Sequence, residues 1–279
     1  MLNNILRLRF NNEGVHVSNN YGRWKHRKSG SSMEFQDYRN YEKGDELRKV
    51  DWSYYGRSRE LMVKTYNDER KKTVNIFLDN TKSMDYGKSN KYKRALEIAF
   101  YIISIIVKGY DDVRLYYLDG IKASYCDFSK NSHPDNIYDT LSKIQLSQSE
   151  DYFTNLMSIP VRRGNSLVIS DFYSDKVDEF LEHISVGVRC GSCLNILTGE
   201  EINPDYRGLS RLIDSESNSK REINIDAHVV KKYKEIVDNH LESIVQSTDK
   251  WGFSYSILDP RKDLETIFFH DMVNLGLLR

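Results

Sequence analysis

Three short apolar runs constrain the fold of this chain more than any other feature: residues 74–78 (VNIFL), 166–170 (SLVIS) and 193–197 (CLNIL). Each is too short for a buried helix, and their bulky apolar side chains predict strands covered on both faces. Around them lie segments with apolar residues at helical spacing. Residues 91–108 place Ala95, Ile98, Ala99, Ile102, Ile103, Ile106 and Val107 on one face, and Gly109 follows as a stop. Residues 136–144, 176–184 and 227–248 read as further helices. Residues 113–118 and 123–128 read as a hairpin across Asp119 and Gly120, residues 253–258 as a last strand, and residues 263–275 as a closing helix. Strands alternating with helices predict an α/β fold, a doubly wound and mainly parallel sheet with right-handed crossovers.

The first seventy-two residues break this rhythm, being rich in Asn, Arg, Gly and Tyr with few sustained apolar runs. They predict an irregular N-terminal arm, residues 1–72, packed on a main domain of residues 73–279. Within the arm, the basic run Arg23–Lys28 with Trp24 inside it reads as solvated. The stretch 37–52 mixes Arg39, Asp45, Arg48 and Asp51 with Tyr38, Tyr41 and Trp52, and predicts a salt-bridge and aromatic network. Residues 61–66 read as a strand. A second departure at about 208–225, where two apolar stretches flank Ser215–Lys220, predicts a small inserted β-hairpin.

The 279 residues are ample for a hydrophobic core. Lysine plus arginine and aspartate plus glutamate both total 41, so no global charge favours nucleic acid or an anionic membrane. The most apolar window, 95–107, is interrupted by Glu97 and Ser104 and is about half the length that crosses a bilayer. The 3 cysteines are few and odd in number, and the first ten residues carry two arginines without a long apolar core, so a cytoplasmic location is expected.

The ends of the apolar runs carry the chemistry. The first run leads into Asp79, Thr81 and Ser83; the second leads into Asp171, followed by Phe172 and Tyr173. In open α/β sheets ligands bind at the carboxyl ends of the strands, and carboxylates with hydroxyls are the hard oxygen donors that magnesium prefers. Two carboxylates held at one sheet edge repel each other, and a divalent ion relieves this. Thr154, in the polar stretch SEDYFTNL, is placed upstream of the second strand to add a hydroxyl. The same residues also read as a polar turn with helix caps around an empty site. Elsewhere, the pair Cys190 and Cys193 has redox spacing, but Cys193 begins a strand where such motifs open a helix, so both are expected to be structural. The 7 histidines form no zinc motif, and no phosphate-binding glycine loop is present, so nucleotide hydrolysis is not expected of this chain.

A strand ending in Asp79, Thr81 and Ser83, with a distant Thr154 and a later strand-end Asp171, resembles the metal-ion-dependent adhesion site of von Willebrand factor A-type domains. Thr81 replaces the more usual serine and keeps its hydroxyl; no glycine stands beside Thr154. The blocks RNYEKGDELRKVDW, NDERKKTVNIFLDNTKSM and LVISDF are similar to the bacterial family called domain of unknown function fifty-eight. That resemblance implies a cytoplasmic von Willebrand A-like protein, encoded beside a MoxR-type AAA+ ATPase and acting in assembly, metal insertion or maturation of other proteins. It implies a magnesium site at Asp79, Thr81, Ser83, Thr154 and Asp171 and a non-enzymatic, metal-dependent protein-interaction module. Two alternatives stay open. One is a magnesium-dependent phosphohydrolase or nuclease using Asp79 and Asp171, although Thr81 stands where an aspartyl-phosphate phosphatase carries its second acid. The other is a metal-free scaffold that makes its contacts through Trp24, Trp52 and the arm's tyrosines.

Overall fold

The computed structural model describes residues 2–11, 34–67, 72–87, 89–149, 151–204, 208–213 and 220–279. They fall into a larger unit, residues 1–16 with 72–279, and a smaller one, residues 17–71. The larger unit begins with the helical turn α1 (Leu2–Ile5), which buries Ile5, and with Phe10 bridging to Leu278. Arg9 and Arg279 exchange backbone hydrogen bonds at 2.8 and 2.9 Å.

In the smaller unit, β1 (Glu34–Asn40) pairs antiparallel with β2 (Met62–Asn67), and the helix α2 (Trp52–Ser58) lies between them in sequence. Asp51 caps α2, its Oδ1 accepting from the backbone N–H groups of Ser53 at 2.9 Å and Tyr54 at 3.0 Å. Its Oδ2 accepts from the Tyr38 hydroxyl at 2.8 Å, and the Tyr38 and Tyr54 rings lie 5.3 Å apart. Arg39 grips Asp45 with both terminal nitrogens, at 2.7 and 2.6 Å. Within 37–52 the described side chains thus make two separate groups, Tyr38 with Asp51 and Arg39 with Asp45. The basic run Arg23–Lys28, with Trp24, lies outside the described residues.

The larger unit continues with β3 (Thr73–Leu78), α3 (Lys91–Lys108), β4 (Asp112–Asp119), β5 (Lys122–Phe128), α4 (Pro134–Ser142) and α5 (Tyr152–Leu156). It goes on through β6 (Gly164–Ser170), α6 (Val177–Ser185), β7 (Val188–Ile196), α7 (Gly199–Ile202), β8 (Gly208–Ile213), β9 (Lys220–Ile225), α8 (Ala227–Trp251) and β10 (Phe253–Leu258). The central sheet has the order β10-β7-β6-β3-β4-β5, parallel throughout except for the β4–β5 hairpin. This is the doubly wound sheet expected from the alternation of strands and helices. The apolar stripe of α3 packs on one face with Ile137 and Leu141 of α4, while Phe153 of α5, Phe180 of α6 and Ile244 of α8 cover the other. β8 and β9 form a separate antiparallel pair, the expected inserted hairpin.

β7 and the closing segment differ from their sequence expectation. β7 begins at Val188, five residues before its apolar half, because Val188 already pairs with β6 and Gly191 and Ser192 run between β6 and β10. Gly191 is required there: a Cβ on it would meet the Phe253 ring at 2.3 Å. The closing segment is not one regular helix but short helical turns on either side of a π turn, Ile267–Asp271, whose Ile267 and Phe268 are fully buried.

The chain leaves β3 for β4 on one side and returns to β6 on the other. The carboxyl ends of β3 and β6 therefore flank the point where strand order reverses, the place where a doubly wound sheet opens a crevice.

Candidate metal centre

Asp79 and Asp171 stand one residue beyond the ends of these two adjacent strands. The Asp79 N–H donates to the Ile169 carbonyl at 2.9 Å, extending the ladder to the site itself. Both carboxylates are buried, at 3% and 2% exposure, which takes them out of water and makes every neighbouring charge count.

Asp79 is the hub. Its Oδ1 accepts from the Thr81 N–H at 2.9 Å and the Thr81 hydroxyl at 2.7 Å, and its Oδ2 accepts from the Ser170 hydroxyl at 2.6 Å. With the Thr81 proton directed at Asp79, the 2.9 Å contact between Thr81 Oγ1 and Ser83 Oγ takes its proton from Ser83. Asp79, Thr81 and Ser83 thus form one chain of oxygens whose lone pairs end at Ser83, as their alternate spacing suggests. Burial, and then repulsion from Asp171, push the Asp79 carboxyl up to about 6 against the opposing pull of those hydrogen bonds.

Asn80 fixes this loop. Its side-chain amide donates to the carbonyls of Leu118 at 2.8 Å and Gln145 at 2.7 Å, and accepts from the Leu118 N–H at 3.0 Å. The end of β3 is thereby tied to the end of β4.

Asp171 has a different partner. Its Oδ2 accepts from the Lys91 ammonium at 2.8 Å, while its Oδ1 accepts a long 3.3 Å bond from the Tyr173 N–H. Lys91 is wholly buried and donates also to Glu201 Oε1 at 2.7 Å. Burial opposes the ammonium's charge, but the two carboxylates outweigh it and hold Lys91 above its ordinary pKa. The half-exposed rings of Tyr86 and Tyr173 stand 5.8 and 5.5 Å from its nitrogen. Glu201 is oriented from behind, its Oε2 accepting from the Thr198 N–H at 2.7 Å and hydroxyl at 2.8 Å in a capping box at the start of α7.

The residue after Asp171 is held in an unusual conformation. Phe172 has φ of 55°, in the left-handed region that a bulky side chain rarely adopts. It is kept there by its ring, stacked 5.9 Å from that of Phe153, by its N–H donating to Ser170 Oγ at 2.9 Å, and by a 3.1 Å contact between its carbonyl and His240. Ser170 therefore connects the two carboxylate loops, accepting from one and donating to the other.

Thr154, expected to join these residues, does not. It is exposed on α5, and its N–H donates to the capping Asp151 Oδ1 at 3.2 Å. Residues two apart on a helix face nearly opposite directions, and α5 turns Tyr152 and Phe153 inward instead. The Tyr152 hydroxyl is buried without a hydrogen-bond partner among the described residues, and burial and the Asp79 charge hold its pKa well above the ordinary value.

A family model described as protein of unknown function DUF58 matches residues 37–243. The chain belongs to that family. Among solved structures it is similar to the conserved hypothetical protein BatB from Bacteroides thetaiotaomicron, with a TM-score of 0.44 and 12% identity over 73% of this chain and 98% of that one. It is also similar to proximal thread matrix protein 1 from the mussel byssus, with a TM-score of 0.40 and 11% identity over 74% of this chain and 46% of the other. A third likeness is to an aerotolerance-related membrane protein from Bacteroides fragilis, with a TM-score of 0.33 and 14% identity over 64% of this chain and 98% of that one. No curated protein matches the chain.

The donors of this DUF58 chain suit a hard cation. Ser83 Oγ, the remaining lone pair of Thr81 and the weakly engaged Asp171 Oδ1 are oxygens left for an ion, and the Asp79–Asp171 repulsion is what an ion relieves. Among the described residues no group of three or more His, Cys, Asp or Glu is arranged around a metal position, so an ion here depends on hydroxyls and solvent for much of its shell. Lys91, Ser170 and Glu201 were not singled out by sequence. The Glu201 signal was present as a Thr-x-x-Glu box after the third apolar run, and the Lys91 signal as a lysine opening a helix whose first turn ordinarily favours acids.

Proposed function

We propose that this DUF58 protein is a non-enzymatic protein-interaction module whose docking site is the carboxyl edge of the parallel sheet. A divalent cation, magnesium by the hardness of its donors, would be held by Thr81, Ser83, Asp79 and Asp171. The observation that carries this reading is the pair Asp79 and Asp171 at the strand-order reversal, with the hydroxyls of Thr81 and Ser83 chained to the first. Thr81 and Ser83 supply neutral oxygens, and the two carboxylates supply charge, directly or through water.

A bound divalent ion offers, at a position otherwise filled by solvent, an attachment point for a partner's Asp or Glu. The half-exposed Tyr86 and Tyr173 rings flank the site and suit the rim of an interface. The family resemblance points to a MoxR-type AAA+ ATPase as the partner, in the assembly or maturation of other proteins.

Thermal denaturation tests the metal part. Magnesium is expected to raise the melting temperature of the wild type and to leave Asp79→Ala unmoved; equal responses overturn it. Capture of the ATPase by the immobilised chain, lost on chelation and in Asp79→Ala, tests the partner part.

A further inference from the structure

We propose that Lys91 is the resident cation of the Asp79–Asp171 site, and that a divalent ion competes with its ammonium for Asp171. This rests on the metal reading above and says how that site is regulated. The amino group touches Asp171 Oδ2 at 2.8 Å and Glu201 Oε1 at 2.7 Å from a side chain with no exposure to solvent. Its nitrogen also lies 5.8 and 5.5 Å from the ring centroids of Tyr86 and Tyr173. The site therefore satisfies Asp171 from its own chain. Lys91 opens α3, immediately after the loop that carries Thr81 and Ser83, so the ammonium is anchored beside the same donors an ion would use.

The charges make the competition unequal. Asp79, Asp171 and Glu201 bring three negative charges against one lysine, so the metal-free site remains short of positive charge. A divalent ion at Asp79 and Asp171 meets the ammonium as a like charge in a buried setting, where screening is weak. Glu201 gives the lysine somewhere to go, because its Oε2 is already held by Thr198 and its Oε1 already faces the amino group. Metal entry is then an exchange in which Lys91 gives up Asp171 and keeps Glu201. The internal lysine lowers the affinity for the ion and keeps the site folded without it.

Calorimetric titration with Mn2+ alone, on the chelator-treated full chain, tests this in wild type, Lys91→Met and Lys91→Gln. Removing the ammonium is expected to tighten Mn2+ binding by at least about tenfold, the effect of one nearby like charge in a poorly screened site. If Lys91→Met is unfolded without the ion, Lys91→Gln supplies the affinity. Binding in Lys91→Gln equal to or weaker than wild type overturns the competition and leaves the metal reading standing. No binding to any of the three proteins removes both.

Discussion

The Lys91 ammonium lies 2.8 Å from Asp171 Oδ2, and both side chains are buried. A buried pair of this kind costs desolvation on both sides, so its net worth is small while the cost of breaking it is large. In metal-free buffer Asp171→Asn is expected to lose roughly 3 kcal/mol of unfolding free energy, and Lys91→Met, which strands two carboxylates, roughly 3–5 kcal/mol. The double variant is expected to lose less than the sum of the two. Urea denaturation of the four proteins measures the cycle, and strict additivity would mean the two groups do not interact.

Asp79 gives the site a pH signature of its own. Its carboxyl titrates at about 6 in the folded chain, above its unfolded value, because it is buried and faces Asp171. The sign follows from linkage: the folded state binds this proton more tightly, so the stabilisation is complete below the unfolded pKa and is lost as pH rises through about 6. Relative to Asp79→Asn, which has no such proton, the wild type is expected to lose stability between about pH 4 and 7 in chelator-treated buffer. Denaturation midpoints of both proteins across that range measure the difference. A difference that does not change with pH would show that Asp79 keeps its ordinary pKa.

Asn80 is fully buried, and its amide satisfies groups on two other segments, Leu118 and Gln145. Asn80→Ala leaves the Leu118 N–H and two carbonyls without that partner, and is expected to cost roughly 2–4 kcal/mol. It also frees the loop holding Thr81 and Ser83, so the magnesium-induced rise in melting temperature is expected to shrink more than in a core variant of equal stability cost, such as Leu141→Ala. Parallel responses in the two variants would mean that Asn80 acts on stability alone.

Much of this architecture was legible because one kind of signal, the apolar run, marks buried strands wherever it occurs. Thr73–Leu78 and Phe253–Leu258 form where their sequences predict, and so does α3 on its seven-residue stripe. β7 exceeded its run because the residues around Gly191 are chosen for closeness to Phe253, a tertiary demand with no periodicity of its own. The same division applies to the site. Asp79, Thr81 and Ser83 were legible as a local motif, and Asp171 as its repetition on a second strand. Lys91 and Glu201 are 110 positions apart and meet only because α3 and α7 start at the same edge of the sheet. Thr154 was read from residue type within a polar stretch, and the turn of α5 set by Asp151 decides which of its side chains faces inward.

The cysteine pair offers a last test, of strand geometry against motif spacing. Cys190 and Cys193 lie three residues apart along the extended chain of β7, Cys190 at a register shift against β6 and Cys193 in the buried half of the strand. A disulfide needs Cβ atoms about 4 Å apart and directed toward each other, which a regular strand cannot provide at this spacing. Burial also pushes both thiols above their ordinary range, Cys193 from within the core and Cys190 from partial cover, so neither is readily a thiolate at neutral pH. Mild oxidation of the native protein is therefore expected to leave the pair unlinked by peptide mapping. Cys193 is expected to react with a thiol reagent only as fast as the chain unfolds. After denaturation the same residues become ordinary neighbours in a flexible peptide, and the linkage should form. A native Cys190–Cys193 disulfide would mean that β7 opens locally between β6 and β10, and that the register Phe253 to Gly191 is not held in solution.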